Sequence, residues 1–159
     1  MSEKFLHATF AGGCFWCIEA AFSQFKAIGS VKPGYCGGDT TNPTYNEVCS
    51  GQTGHAEAVQ LSYDPNSFSY ENLLEIFFAI HDPTQLNQQG PDVGSQYRSA
   101  IFYHNPTQKS AAESYVNSLT ERSLPKLRLA LHQPLARHGQ ENLLADQNSR
   151  LRRVQCENC

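Results

Sequence analysis

"FLHATFAGGCFWCIEAAF", residues 5–22, changes its pattern once, and the change is where the fold is decided. Residues 5–11 alternate between apolar and polar, as a half-buried strand does. Beyond Gly12-Gly13, Phe15, Ile18, Phe22 and Phe25 follow at spacings of 3, 4 and 3, which is one stripe of a helix. A strand that turns through two glycines into a helix beginning near Cys14 is therefore expected. Glycine permits the sharp turn and a close backbone approach, because no side chain obstructs either.

Working outward, the same reading extends to about residue 122. "VKPGYCGG" (31–38) reads as a short strand stopped by glycines, with Pro33 placing it at an edge or an irregularity. "TYNE" (44–47) carries the capping-box pattern of a short helix. "AEAVQLSY" (56–63) alternates as a strand, and "SYENLLEIFFAIH" (69–81) is a helix capped by Ser69. Its residues Leu73, Leu74, Phe77, Phe78 and His81 lie toward one side. "QYRSAIFYH" (96–104) reads as another strand, and Asn105-Pro106 supplies cap and first turn for a helix to about Arg122. The order β-α-β-β-α-β, with extra helices, predicts an α+β two-layer sandwich with a ferredoxin-like core. Helices should cover one face of a mainly antiparallel sheet.

A chain of 159 residues is expected to form one domain. Its 40% hydrophobic and 17% charged content is that of a soluble globular protein and argues against disorder. A net charge of -3 offers no electrostatic reason for a nucleic-acid or membrane partner. Met1 leads into an alternating stretch without a basic or apolar leader, and no run reaches the roughly 18 apolar residues of a membrane span. A cytoplasmic protein is expected. The averages conceal a division: every aromatic residue lies between Phe5 and Tyr115, with 5 basic and 11 acidic residues up to that point. From Val116 on there are 7 basic and 4 acidic residues. That basic tail is expected to contribute little to a compact fold.

Six cysteines in a cytosolic chain point to redox or metal chemistry more than to a disulfide framework. Cys14 sits at the start of the first helix, where unpaired N–H groups and the helix dipole favour an anion. Its thiol should ionise more readily than an unperturbed one near ~8.5. Trp16, the only tryptophan, lies off the apolar stripe and beside that thiol, an aromatic wall suited to a small apolar group such as a methyl. Cys17 completes Cys-x-x-Cys, the spacing of a redox pair or of half a zinc site. The other half could be Cys156 and Cys159 in "CENC". Zinc ribbons separate their halves by about 15–20 residues, whereas nearly the whole chain intervenes here. Cys36 and Cys49 read as small buried hydrophobes. Alternation places Glu57 on the face that carries Val59, Leu61 and Tyr63. There a carboxyl would have a raised pKa and could act as a general acid near neutrality. The alternative is an exposed charge at the start of the strand. Tyr45, Asp92 and Tyr97 each read, taken singly, as loop residues.

The blocks "GGCFWCIE" (12–19), "GYCGGDTTNPTYNEVCSGQTGHAEAVQLSYDP" (34–65) and "HDPTQLNQQGPDVGSQYRSAIFY" (81–103) together resemble the signature of peptide methionine sulfoxide reductase type A. The resemblance runs from about residue 5 to 103, followed by the helix and basic tail of about 105–159. It implies the α+β sandwich read above and a task for each residue. Cys14 would attack the sulfoxide sulfur, and Glu57 would protonate the departing oxygen, helped by the hydroxyls of Tyr45 and Tyr97. Phe15 and Trp16 would hold the ε-methyl group, and Asp92 would bind and orient the substrate. The product is methionine from the S-sulfoxide, free or in proteins, with Cys14 left as a sulfenic acid. A second thiol then closes a disulfide that thioredoxin reduces. Cys17 is the candidate to resolve first, with Cys156 and Cys159 as alternatives or as a relay. No metal or organic cofactor is implied, and a monomer is expected. The family's aromatic, acidic stretch in the last third is replaced here by "LPKLRLALHQPLARHGQENLLADQNSRLRRVQCENC".

Two other classes share parts of this pattern. A thioredoxin-type oxidoreductase also places Cys-x-x-Cys after a strand at a helix start, but ordinarily with Gly-Pro between the cysteines. Small βαββαβ copper(I) carriers offer the same two thiolates from the first loop. Bulky Phe15-Trp16 and the length of the chain argue against that second reading.

Overall fold

A computed structural model describes residues 5–122 and 130–132. The elements are β1 (Leu6–Ala11), α1 (Phe15–Phe22), β2 (Ile28–Cys36), α2 (Tyr45–Cys49), β3 (Ala56–Tyr63) and α3 (Tyr70–Ile80), followed by two short strands, β4 (Gln88–Gln89) and β5 (Asp92–Val93). A 3-10 turn (Ser95–Tyr97), β6 (Ala100–Phe102), α4 (Pro106–Arg122) and β7 (Ala130–His132) follow among the described residues. The class is α+β. Four strands form an antiparallel sheet in the order β2-β3-β1-β6, and β7 joins its edge parallel to β6.

The alternation of β1 and β3 sets which residues face the helices. Ala8 pairs with Leu61 and Phe10 with Val59. These four pack with Phe15, Ile18 and Phe22 of α1 and Leu73, Leu74 and Phe77 of α3. Phe10 lies at the centre, 4.8 Å from the Phe77 ring, 5.8 Å from Phe22 and 6.1 Å from Tyr70 between ring centroids. Burying one such aromatic contributes about 1.5–3 kcal/mol, so this cluster anchors the fold. The opposite face carries small residues, Ala11, Ala56, Ala58 and Ala100, with Phe102 and Cys36. β3 is thus buried on both faces over most of its length.

Local signals terminate the helices where chemistry requires. Thr44 and Glu47 form a reciprocal capping box at α2, as do Ser69 and Asn72 at α3. At α4 the Asn105 Oδ1 accepts the Gln108 N–H at 2.8 Å. Pro33 sits in β2, which is an outer strand and needs no donor on its open side. Among the described residues, no helix is long and apolar enough to cross a membrane.

The structure corrects five expectations. β2 begins earlier than 31, at Ile28, because a bulge between Ile28 and Ser30 lets pairing with β3 resume across an irregular Gly29. Phe25 lies beyond the end of α1, is 38% exposed, and sets its ring 6.0 Å from that of Phe68. The strand expected over 96–104 shrinks to Ala100–Phe102, because its partner β1 ends at Ala11, paired with Ala100. Residues 95–97 instead curl into the 3-10 turn, the Tyr97 N–H donating to Gly94 O at 3.0 Å. Cys49 is exposed at the end of α2, while Cys36 is buried as expected. Finally, part of the basic tail does belong to the sheet, since Ala130–His132 pairs with Ala100–Phe102. The gap between β4 and β5 is the Gly90-Pro91 pair, a turn signal that could have revealed this hairpin in the sequence. Cys156 and Cys159 lie outside the described residues.

Candidate active site

Cys14 is the N-cap residue of α1, its carbonyl accepting the N–H groups of Cys17 and Ile18 at 3.1 and 3.4 Å. The turn that delivers it depends on the two glycines. Gly13 has φ +91°, and a Cβ there would lie 2.7 Å from Gln89 Cγ; a Cβ on Gly12 would lie 2.8 Å from His81 Cδ2. The Gly13 N–H donates to Tyr97 O at 3.2 Å, which ties the cysteine turn to the 3-10 turn. Gln89 in turn is held by Asp82, its Oε1 accepting the Asp82 N–H at 2.8 Å and its Nε2 donating to Asp82 O at 2.9 Å.

Glu57 lies on the helix-facing side of β3 and is 2% exposed, which excludes the reading of a charge turned to water. Its Oε2 accepts the Phe15 N–H, one of the unpaired donors at the start of α1, at 3.1 Å. Burial raises the proton affinity of the carboxyl, the Phe15 hydrogen bond lowers it, and the nearby Asp92 charge raises it again. Burial wins, and the pKa stands at about 7. At neutral pH a large fraction of Glu57 therefore carries a proton it can give.

Three hydroxyls surround this acid. Tyr97 is half-buried, and burial together with the Glu57 charge pushes its hydroxyl above the usual tyrosine range. Tyr45 is pushed up by burial and by the hydrogen bond between its hydroxyl and Cys49. Both keep their protons at neutral pH and are donors. Tyr35 pairs directly across from Glu57 in the sheet, is 1% exposed, and its hydroxyl has no hydrogen-bond partner among the described residues. Sequence reasoning passed over it; an aromatic in "GYCGG" facing an acidic strand position was the available signal.

The aromatic wall has two layers. Trp16 is half-buried and stacks on Tyr45 at 6.3 Å with 13° between the planes. Phe15 is fully buried behind it, 5.2 Å from Trp16 and 5.6 Å from Tyr35. Cys14, Cys17 and Asp92 open together onto a cleft of about 300 Å³, walled by Ile18, Ile80 and Pro91. Cys17 is exposed and Cys14 half-buried in it. The structure thus gathers Cys14, Cys17, Phe15, Trp16, Tyr45, Glu57, Asp92 and Tyr97 around the start of α1. Among the described residues, no group of three or more His, Cys, Asp or Glu side chains could hold a metal ion.

Comparison with known proteins bears on this arrangement. The model of the family described as peptide methionine sulfoxide reductase matches residues 6–134. This chain belongs to that family. A peptide methionine sulfoxide reductase MsrA of Natronomonas pharaonis is 62% identical over 114 residues, which are 72% of this chain and 64% of that protein. The MsrA of Haloquadratum walsbyi is 57% identical over 76% of this chain and 68% of its own length. The chain thus spans about two thirds of the length of these relatives. The solved structure of reduced Mxr1 from Saccharomyces cerevisiae has a TM-score of 0.78 at 33% identity, covering 85% of this chain and 79% of its own. The same yeast protein in complex with Trx2 matches at a TM-score of 0.64 and 22% identity, covering 94% of this chain and 86% of its own, a likeness of fold alone.

Proposed function

We propose that this chain reduces methionine S-sulfoxide, free or within proteins, to methionine, as a single-domain, monomeric, cytoplasmic repair enzyme. The observation that carries the reading is the pairing of a cysteine at a helix start with a buried carboxyl of pKa about 7 on the next N–H of that helix. The Cys14 thiolate attacks the sulfoxide sulfur, and Glu57 gives its proton to the oxygen. The attack forms a bond between Cys14 Sγ and the substrate sulfur. The protonated oxygen then passes from the substrate sulfur to Sγ as that sulfur–sulfur bond breaks, so methionine leaves and Cys14 is left as a sulfenic acid. Tyr45 and Tyr97 donate hydrogen bonds to that oxygen as charge develops on it. Trp16 offers its ring to the ε-methyl group with Phe15 behind it, and Asp92 orients the substrate from the cleft it shares with Cys14.

Cys17 then attacks the sulfenic acid, expelling water and forming a disulfide with Cys14. Their common cleft supports that assignment. Thioredoxin is the proposed reductant of the disulfide; yeast Mxr1, whose reduced form is 33% identical to this chain, has also been solved in complex with Trx2. Cys156 and Cys159 are proposed as a relay. The order β2-β3-β1-β6 supports the ferredoxin-like, two-layer label for the core.

The test is a single turnover on pre-reduced protein, given each epimer of a blocked methionine sulfoxide without reductant. Methionine from the S epimer, with two thiols lost per methionine, is expected. No product from either epimer in folded protein would overturn the reading. A Cys17→Ser variant that still recycles fully with thioredoxin would remove Cys17 from the resolving step.

A further inference from the structure

Glu57, Tyr45 and Tyr97 come from three separate segments, and a short stretch just ahead of Glu57 is bonded to both of the others. His55 is 2% exposed, and both ring nitrogens are used. Its Nδ1 accepts the Gly38 N–H at 3.1 Å, so the ring proton lies on Nε2, which donates to Thr40 O at 2.7 Å. The Asp39 N–H donates to Thr53 O at 3.1 Å, which closes the same seam. The fit leaves no slack: a Cβ on Gly38 would lie 2.4 Å from Thr53 O and 2.5 Å from His55 N. The loop held this way runs on through the Thr44 cap to Tyr45.

On the other side, Arg98 follows Tyr97 directly. One guanidinium nitrogen donates to Ser95 O at 2.9 Å, closing the 3-10 turn on itself. The other donates to Gly54 O at 2.8 Å, the residue beside His55. A planar, two-armed donor is suited to fixing two carbonyls at a set separation.

The geometry points to His55 and Arg98 as two separate positioning residues: His55 registers Tyr45, and Arg98 registers Tyr97, each against Glu57. Neither touches the reacting atoms. The inference rests on the hydroxyl roles proposed above, and it adds a specific wiring: His55 acts on one hydroxyl and Arg98 on the other. A catalytic group displaced by about 1 Å can cost as much as a hundredfold in rate, so a loosened latch should slow the chemistry more than it weakens binding.

The experiment is a set of double-mutant cycles on kcat for S-sulfoxide reduction with a chemical reductant. The variants are His55→Asn, Arg98→Lys, Tyr45→Phe and Tyr97→Phe. His55→Asn retains an acceptor for the Gly38 N–H and loses the bond to Thr40; Arg98→Lys retains the charge but only one donating nitrogen in place of two, so both are mild enough to fold. Each latch variant should lower kcat about tenfold with little change in KM. Added to Tyr45→Phe, His55→Asn should cause no further loss, while added to Tyr97→Phe its loss should multiply. Arg98→Lys should show the reverse. Trp16 is the only tryptophan and stacks on Tyr45, so its emission gives a reading independent of activity. It should shift in His55→Asn and stay unchanged in Arg98→Lys. Full tyrosine effects with losses that multiply in all four pairs would overturn the latches alone, as would equal emission changes in both. Unchanged turnover in both tyrosine single variants would overturn the hydroxyl roles, and the latches with them.

Discussion

The helix-facing side of the sheet is built differently at its centre and at the start of α1. The centre is apolar throughout: Phe10, Phe22, Leu61, Leu73 and Phe77 are each fully buried and touch one another. At the start of α1 the buried groups are polar. Glu57 is buried with the Phe15 N–H bonded to its carboxyl, the Tyr35 hydroxyl lacks a partner among the described residues, and so does His81 Nε2 beside the glycine turn. A buried polar atom without a partner costs about 1–3 kcal/mol. The same packed face thus gains stability at its centre and gives some of it up where the cysteine stands. Such a concession is expected where a site must meet a substrate's oxygen rather than a neighbouring side chain.

Four substitutions would break or sharpen this contrast. The largest effect belongs to Cys14→Ser, which should cut methionine formation by at least about a thousandfold while leaving the unfolding midpoint nearly unchanged. Measurable turnover near the wild-type rate would remove the cysteine from the centre of the contrast. At the apolar centre, Phe10→Ala should cost about 3–5 kcal/mol in urea unfolding. Its folded fraction should still turn over at the wild-type level, and a small unfolding cost would mean that the core lies elsewhere.

Glu57→Gln should act in both regions' terms. Its kcat should fall about a hundredfold, and the loss of rate expected of the wild type as pH rises through about 7 should vanish. The sign for stability follows from the raised pKa. The wild type is relatively most stable below pH 4.5, where the carboxyl is protonated folded or unfolded, and loses stability as pH rises through about 7. That loss is about 3 kcal/mol, so the variant's advantage in thermal unfolding should grow between those pH values. An advantage independent of pH would show the carboxyl to be ordinarily hydrated. The smallest effect is expected on the surface. Lys109 and Glu113 lie 4.0 Å apart and are about half exposed, so Lys109→Ala should change stability by less than about 0.5 kcal/mol.

What was legible in the sequence was set by neighbours along the chain. The alternation of β3 gives its observed ends, 56–63, because alternation is a local property. The cap of α2 is legible from Thr44 and Glu47, three residues apart, and that of α3 from Ser69, while its partner Asn72 is seen only in the structure. Alternation also placed Glu57 on the apolar side. Its burial was not legible, because the groups beside it belong to other segments: the Phe15 N–H, Tyr35 across the sheet and the charge of Asp92. The hairpin of β4 and β5 was missed although Gly90-Pro91 announced it. His55 and Arg98 are not legible for a firmer reason: the bonds that join segments reach Gly38 and Gly54, 17 and 44 residues away, and go to backbone atoms, which leave no mark on side-chain patterning.

The sequence by itself determined the class of the fold, the place of Cys14 at a strand-to-helix turn, and the family, through ordered blocks of specific residues. Only the tertiary structure decided that Glu57 is protonatable near neutrality, that Cys14 and Cys17 share a cleft with Asp92, and that the hydroxyls of Tyr45 and Tyr97 both feel the charge of one carboxyl. Periodicity and capping follow from bonds between near neighbours. A shifted pKa and a converging site follow from what the folded chain excludes, water above all, and from segments that meet only once the sheet has closed.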